Sequence, residues 1–237
     1  ISQWGYDFRP SYLHIARLRE WLPKVPVLAL TATATPEVVQ DMQEKLAFGK
    51  EARVFSKSFE RPNLCYAVVR SDNKLERLEV FLTRTPGSAV VYLRNRKKTE
   101  WVAEWLNRRG ISASFYHGGL DPQQRSERQA SWIKGNTRVM AATNAFGMGI
   151  DKPDVRAVAH LDLPDSLEAY FQEAGRAGRD EAPARALAIV NSEDRHRLLE
   201  HLNQRFPPLV LIRKVVQRIM HRHHLVEGTA PGRWMEL

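Results

Sequence analysis

The chain has 237 residues, and 36 Lys+Arg against 27 Asp+Glu leave a formal charge of +9. That length suits one large domain or one and a half small ones, buries about 70% of the unfolded surface, and needs no disulfide staple. A single cysteine, Cys65, excludes a disulfide framework or a Cys-rich zinc module within these residues and fits a reducing, cytoplasmic compartment. With no apolar run approaching about 18 residues and no export-type start, a membrane span and secretion are not expected. The basic surplus favours a polyanionic partner such as nucleic acid.

In chain order, Trp4, Tyr6 and Phe8 alternate with polar residues and Arg9 follows. This offers aromatic faces for bases beside a cation for phosphate, each stacked base contributing about 1–3 kcal/mol. One face of an ordinary strand shows the same period, although Gly5 and Pro10 weaken that alternative. Val25–Leu30 reads as a buried strand running into Thr31-Ala32-Thr33-Ala34. Thr35-Pro36 then places a capping hydroxyl before a first-turn proline. Lys57 to Asn63 breaks the rhythm with charge, Ser and Pro and marks a domain boundary. Beyond it, Ser88–Leu93, Ile111–Tyr116, Thr137–Ala142, Val155–Leu161 and Ala184–Val190 are short, rich in Val and Ala, and not alternating, as strands covered on both faces are.

Helix-period segments separate these runs. Asn95 caps one that carries Trp101, Val102, Trp105 and Leu106 and ends near Gly110. Asp121-Pro122-Gln123-Gln124 starts another. Strand and helix alternate, which predicts an α/β fold with a doubly wound parallel sheet. Trp101, Trp105 and Trp132 are expected in the core and Cys65 as an inert buried residue. After Asn191 the pattern is helical, interrupted by Pro207-Pro208. His221, His223 and His224 read as a solvated basic tail rather than a zinc site.

In such a sheet, ligands sit beyond the carboxyl ends of the strands. Four turns are placed on that rim: Thr31–Ala34, Arg94-Asn95-Arg96, His117-Gly118-Gly119 and Thr143–Asp151. Cations at Arg94, Arg96, Lys97 and Lys98 oppose the dipole of the helix they begin, which favours phosphate contact. In Gln172-Glu173-Ala174-Gly175-Arg176-Ala177-Gly178-Arg179-Asp180 the glycines either end a helix or accept a cost of about 1 kcal/mol each because something approaches closely. Read as helix, Arg176 and Arg179 share a face and aim two guanidinium forks at one place, suited to a transferring phosphate. Read as a terminus, they complement a glycine C-cap and the helix dipole.

Together, Thr31–Ala34, Val91–Glu100, Tyr116–Leu120, Ala145–Val155 and Gln172–Asp180 resemble motifs III to VI of the superfamily 2 helicases. Ser2–Pro10 is similar to the aromatic-rich loop of the RecQ DNA helicases, with Tyr6 where that family usually has histidine. The resemblance covers residues 1–191 in order and spacing. It implies a fragment with residues 1–58 ending a first RecA-like domain, residues 59–191 forming the second, and residues 192–237 starting a helical extension without the family's zinc module. Arg179, with Arg176, then resembles an arginine finger on the γ-phosphate of ATP. Gln172, Gly149 and Asp151 belong to the same nucleotide interface.

By the same resemblance, Gln3, Trp4, Phe8, Arg9, Asn95, Arg96, His117, Gly118 and Thr143 are expected to meet DNA, and Thr31 and Thr33 to couple nucleotide state to that grip. The sequence contains no G-x-x-x-x-G-K-[ST] and no Asp-Glu-Ala-His box, since Asp180-Glu181-Ala182-Pro183 matches only in letters. ATP and Mg2+ are therefore expected mainly on a preceding domain, and this chain alone is expected to be inactive. The implied activity is ATP-dependent 3′–5′ unwinding of DNA in repair and recombination. Expected partners are single-stranded and partly duplex DNA, with a single-stranded-DNA-binding protein as a candidate, for a monomer in the cytoplasm or nucleoid. The alternatives are a non-catalytic docking module with the same fold and a helicase acting on RNA.

Overall fold

The computed structural model describes residues 10–31, 34–49, 52–147 and 150–222. Six strands, β1 (Leu64–Arg70), β2 (Ser88–Tyr92), β3 (Ala113–Tyr116), β4 (Val139–Ala142), β5 (Val155–His160) and β6 (Ala184–Val190), form one sheet in the order β1-β6-β5-β2-β4-β3. Every pairing is parallel. Helices α1 (Pro36–Lys45), α2 (Lys74–Arg84), α3 (Arg96–Arg108), α4 (Pro122–Ile133), α5 (Leu167–Ala174), α6 (Ser192–Arg205) and α7 (Leu209–Arg222) accompany it. The chain enters through a 3₁₀ stretch, Pro10–Arg17, and one helical turn, Leu18–Trp21.

Two cores flank the sheet. On one face Leu78 and Leu82 of α2 and Val102 and Leu106 of α3 pack on Val91, Ala141 and Ile189. On the other, Trp132 of α4 and Ala174 of α5 pack with Val90, Met140, Phe146 and Val158. Strands covered on both sides need no polar alternation, which is why β2, β4 and β5 read as continuous apolar runs. Trp132 is buried with its indole N–H donating to the Ala89 carbonyl at 3.1 Å, so its one polar group is satisfied.

The expected caps form. Val38 N–H donates to Thr35 Oγ1, Lys98 N–H to Asn95 Oδ1 at 3.2 Å, and Gln124 N–H to Asp121 Oδ1 at 2.9 Å. At the start of α6, Asp194 accepts the Asn191 N–H at 2.7 Å and pairs with Lys74 at 2.8 Å, and Lys74 also donates to the Leu161 carbonyl. This buried ion pair joins α2, the end of β5 and α6.

Four expectations are corrected. Val25–Leu30 forms no strand and stays largely exposed, with Leu28 at 76% and Leu30 at 82%. A strand exists only by pairing, and no strand among the described residues pairs with it. β1 was missed because it is an edge strand with Tyr66 and Val68 exposed. Trp101 is half exposed, since it neighbours the inward face of α3 rather than lying on it. Cys65 is exposed on the edge strand β1. The interruption at Pro207-Pro208 does divide α6 from α7. Among the described residues no helix is long and apolar enough to cross a membrane.

Candidate functional site

Two surfaces carry the residues singled out by sequence. The first is the carboxyl-terminal rim. Because β3, β4 and β2 are neighbours, with Tyr116 beside Ala142 and Ala142 beside Tyr92, the turns that follow them stand side by side. They span about 10 Å at the usual strand spacing. Thr31 does not join them. It is exposed and lies in a segment outside the sheet, so three turns share the rim rather than four.

What the rim presents is mostly backbone and cation. His117 is buried, with Nδ1 accepting the Gly119 N–H at 3.2 Å and Nε2 bonded to Glu100 Oε1 at 2.9 Å. With Nδ1 accepting from Gly119, Nε2 is the nitrogen that donates to the Glu100 carboxylate. The ring therefore shapes the turn, and Gly118 and Gly119 face outward. The Arg96 guanidinium lies over Gly119, where an added Cβ would meet Nη1 at 3.0 Å. Asn95 is exposed and its side-chain amide oxygen caps α3 by accepting the Lys98 N–H. Thr143 is buried, its N–H donating to the Tyr116 carbonyl at 3.1 Å.

Arg94, grouped by sequence with the phosphate-facing cations, is already engaged. Its N–H donates to Asp162 at 3.1 Å, its Nε to the Leu163 carbonyl at 2.8 Å, and its guanidinium pairs with Asp165. Lys97 and Lys98 are exposed.

The second surface is an open cleft of about 440 Å³ lined by Arg61, Asp151, Phe171, Gln172, Arg176 and Arg179, among others. Its arginines do not share a helix. α5 ends at Ala174, Gly175 caps it, and residues 175–180 form a succession of turns. Gly178 adopts φ +62°, where an added Cβ would meet Asn63 Nδ2 at 2.6 Å and the Ala182 carbonyl at 2.9 Å. Only glycine accepts both the left-handed conformation and the contact. The Gly178 N–H donates to the Val155 carbonyl at the amino-terminal end of β5, and the segment that leaves the rim after β4 runs past this turn, with its Gly147 and Ile150 carbonyls accepting from Arg176 and Arg179.

The two arginines are therefore unlike. Arg176 is partly buried, its Nη1 donating to the Gly147 carbonyl at 2.6 Å. It lies so close to Gly147 that an added Cβ there would fall 2.3 Å from Nη2. It also neighbours the buried Tyr92 hydroxyl. Burial pushes that hydroxyl well above its ordinary pKa, while the Arg176 charge opposes the shift. Arg179 stands in the open, its side chain 40% exposed. It donates to the Ile150 carbonyl at 3.1 Å and approaches Asp151 at 3.4 Å, whose carboxylate is 87% exposed. Such an exposed ion pair contributes about 0–1 kcal/mol, so an incoming anion can displace it. Gln172 is exposed on the last turn of α5.

Gln3, Trp4, Phe8, Arg9, Thr33, Gly149, His223 and His224 lie outside the described residues. Among those described, no group of three or more His, Cys, Asp or Glu could hold a metal ion. Sequence reasoning missed two supports of the cleft. Arg61 and Asn63 hydrogen-bond the arginine turn from more than a hundred residues away. Glu173 pairs with the buried His160 at 2.9 Å, a ring stacked on Tyr92 at 5.3 Å. No local pattern marks either, because both depend on how β1, β5 and α5 meet.

The chain is similar to known proteins. The pattern of the helicase conserved C-terminal domain matches residues 73–181. The ATP-dependent DNA helicase RecQ of Pasteurella multocida is 44% identical over 195 residues, covering 82% of this chain and 31% of that protein. Its Bacillus subtilis counterpart is 43% identical over 196 residues, covering 82% and 33%. The chain thus spans about a third of the length of these relatives. In fold it is similar to Saccharomyces cerevisiae Dbp5, solved bound to RNA and ADP BeF3. That match has a TM-score of 0.62 and 22% identity over 86% of this chain and 58% of that one.

Proposed function

This chain belongs to the RecQ family of superfamily 2 helicases, and on that premise we propose that it is the second motor lobe of an ATP-dependent DNA helicase. The observation that carries the reading is Arg179, a weakly held guanidinium on the edge of an open cleft beside Gln172 and Asp151. The sequence contains no phosphate-cradling loop, so ATP and Mg2+ are held on another lobe against this cleft. ATP supplies the phosphoanhydride whose cleavage drives the cycle. Arg179 neutralises the negative charge that grows on the transferring phosphoryl group, an effect worth about 10³–10⁵ in rate for arginine fingers. Arg176 holds the Gly147 carbonyl in place, and Gln172 and Gly149 belong with it to the nucleotide interface.

On the rim, Arg96, Asn95, Thr143 and the His117-Gly118 turn grip the backbone of a single strand without reading its bases. Gln3, Trp4, Phe8 and Arg9 add stacking and a phosphate contact, and Thr31 and Thr33 couple the two surfaces. Residues 1–58 end the first RecA-like lobe, residues 59–191 form the second, and residues 192–237 open a helical extension. The whole protein works as a monomer in DNA repair and recombination in the cytoplasm or nucleoid, where a single-stranded-DNA-binding protein is a partner. In an unwinding assay, the full-length protein with ATP and Mg2+ is expected to open a duplex bearing a 3′ single-stranded tail and leave a 5′-tailed one intact. Opening of the 5′-tailed duplex alone would contradict the reading.

A further inference from the structure

We propose that Arg61, assisted by Asn63, is a positioning residue for Arg179, an inference that rests on reading Arg179 as the charge-neutralising group. Arg61 Nη1 donates to the Gly175 carbonyl at 2.9 Å and Nη2 to the Gly178 carbonyl, while Asn63 Nδ2 donates to the same Gly178 oxygen at 2.8 Å and to the Ala182 carbonyl at 3.0 Å. The Gly178 carbonyl belongs to the planar peptide unit that carries the N and Cα of Arg179. Two side-chain donors on that oxygen fix the plane, and the plane fixes the direction in which the Arg179 side chain leaves the chain.

The rest of the turn is anchored as well. Gly178 N–H holds the Val155 carbonyl at 2.9 Å, Ala184 N–H holds the Asn63 carbonyl at 2.8 Å, and Asp180 is forked by Arg156 at 2.5 and 2.6 Å. Within this frame the Arg179 guanidinium borders the cleft held only by the Ile150 carbonyl at 3.1 Å and the exposed Asp151 carboxylate at 3.4 Å. A rotation of the Gly178–Arg179 plane by about 10° would move a guanidinium about 6 Å away by about 1 Å, and a misplacement of that size costs about 10²-fold in rate. Arg61 and Asn63 occupy the Lys57–Asn63 segment that leads into β1, so the same bonds tie that segment to the arginine turn.

The test is a double-mutant cycle on DNA-stimulated ATP hydrolysis by the full-length protein. Arg61→Gln is expected to lower kcat by about 10- to 100-fold while KM for ATP and Kd for single-stranded DNA stay within about twofold. Arg61→Lys, which keeps the charge but not the fork, should fall between. In an Arg179→Ala background, Arg61→Gln should cost nothing further, because the group it positions is gone. If Arg61→Gln does not fold, Asn63→Ala removes one donor from the same carbonyl and should show the same kcat-against-KM split at a smaller size. An unchanged kcat, or a loss that multiplies undiminished in the Arg179→Ala background, overturns the inference and leaves Arg179 in its role. Arg179→Ala with full turnover overturns both.

Discussion

Arg176 and Arg179 stand three residues apart in sequence yet are held so differently that their removal should separate stability from open-cleft function. Truncating Arg176 to alanine removes a charge-assisted hydrogen bond to the Gly147 carbonyl at 2.6 Å. Such bonds contribute about 1.5–3 kcal/mol. The Arg176 Nε is buried without a partner, which offsets part of that gain and sets the expected loss at about 1.5–2 kcal/mol. Truncating Arg179 removes an exposed pair at 3.4 Å and should cost less than about 1 kcal/mol. In urea denaturation of this chain followed by circular dichroism, with a slope of about 2–3 kcal/mol/M, Arg176→Ala lowers the midpoint by about 0.5–1 M and Arg179→Ala by less than about 0.5 M. Equal shifts, or a larger one for Arg179→Ala, would refute the division between a pinned and an available guanidinium.

Other consequences are separable. Lys74→Met leaves Asp194 as an uncompensated buried charge and should destabilise the chain by about 3–5 kcal/mol, whereas Lys74→Met with Asp194→Leu should recover much of that in the same urea experiment. Binding of this chain to single-stranded DNA should weaken steeply with salt. Arg96→Ala should reduce the slope of log K against log salt by about 0.7, and an unchanged slope would remove Arg96 from the phosphate grip. The Arg156 fork holds the Asp180 carboxyl below the ordinary aspartate range. A depressed pKa gives stability that is full above the unfolded value and lost as pH falls through the folded one. Asp180→Asn should therefore lower stability slightly near neutrality, where this contribution is full, and flatten part of the acid limb of a pH–stability curve.

What the sequence made legible follows from where the chain is covered. β2, β4, β5 and β6 were readable because helices on both faces leave apolar runs, and α3 and α4 because Asn95 and Asp121 cap them locally. β1 escaped because an edge strand exposes Tyr66 and Val68. Val25–Leu30 misled because apolar character alone makes no strand without a neighbour to pair with. At the cleft, residue types and order pointed to Gln172, Arg176 and Arg179. Their inequality depends on Gly147 approaching Arg176 and on Gly178 at φ +62°, which are tertiary facts. Arg61 read as part of a charged break, since its partners lie 114 and 117 residues away.

The most direct measurement is steady-state, DNA-stimulated ATP hydrolysis by full-length protein carrying Arg179→Ala. A kcat reduced by about 10³-fold or more, with KM for ATP and affinity for single strands changed little, is the predicted result. Turnover equal to that of the unsubstituted protein would contradict it.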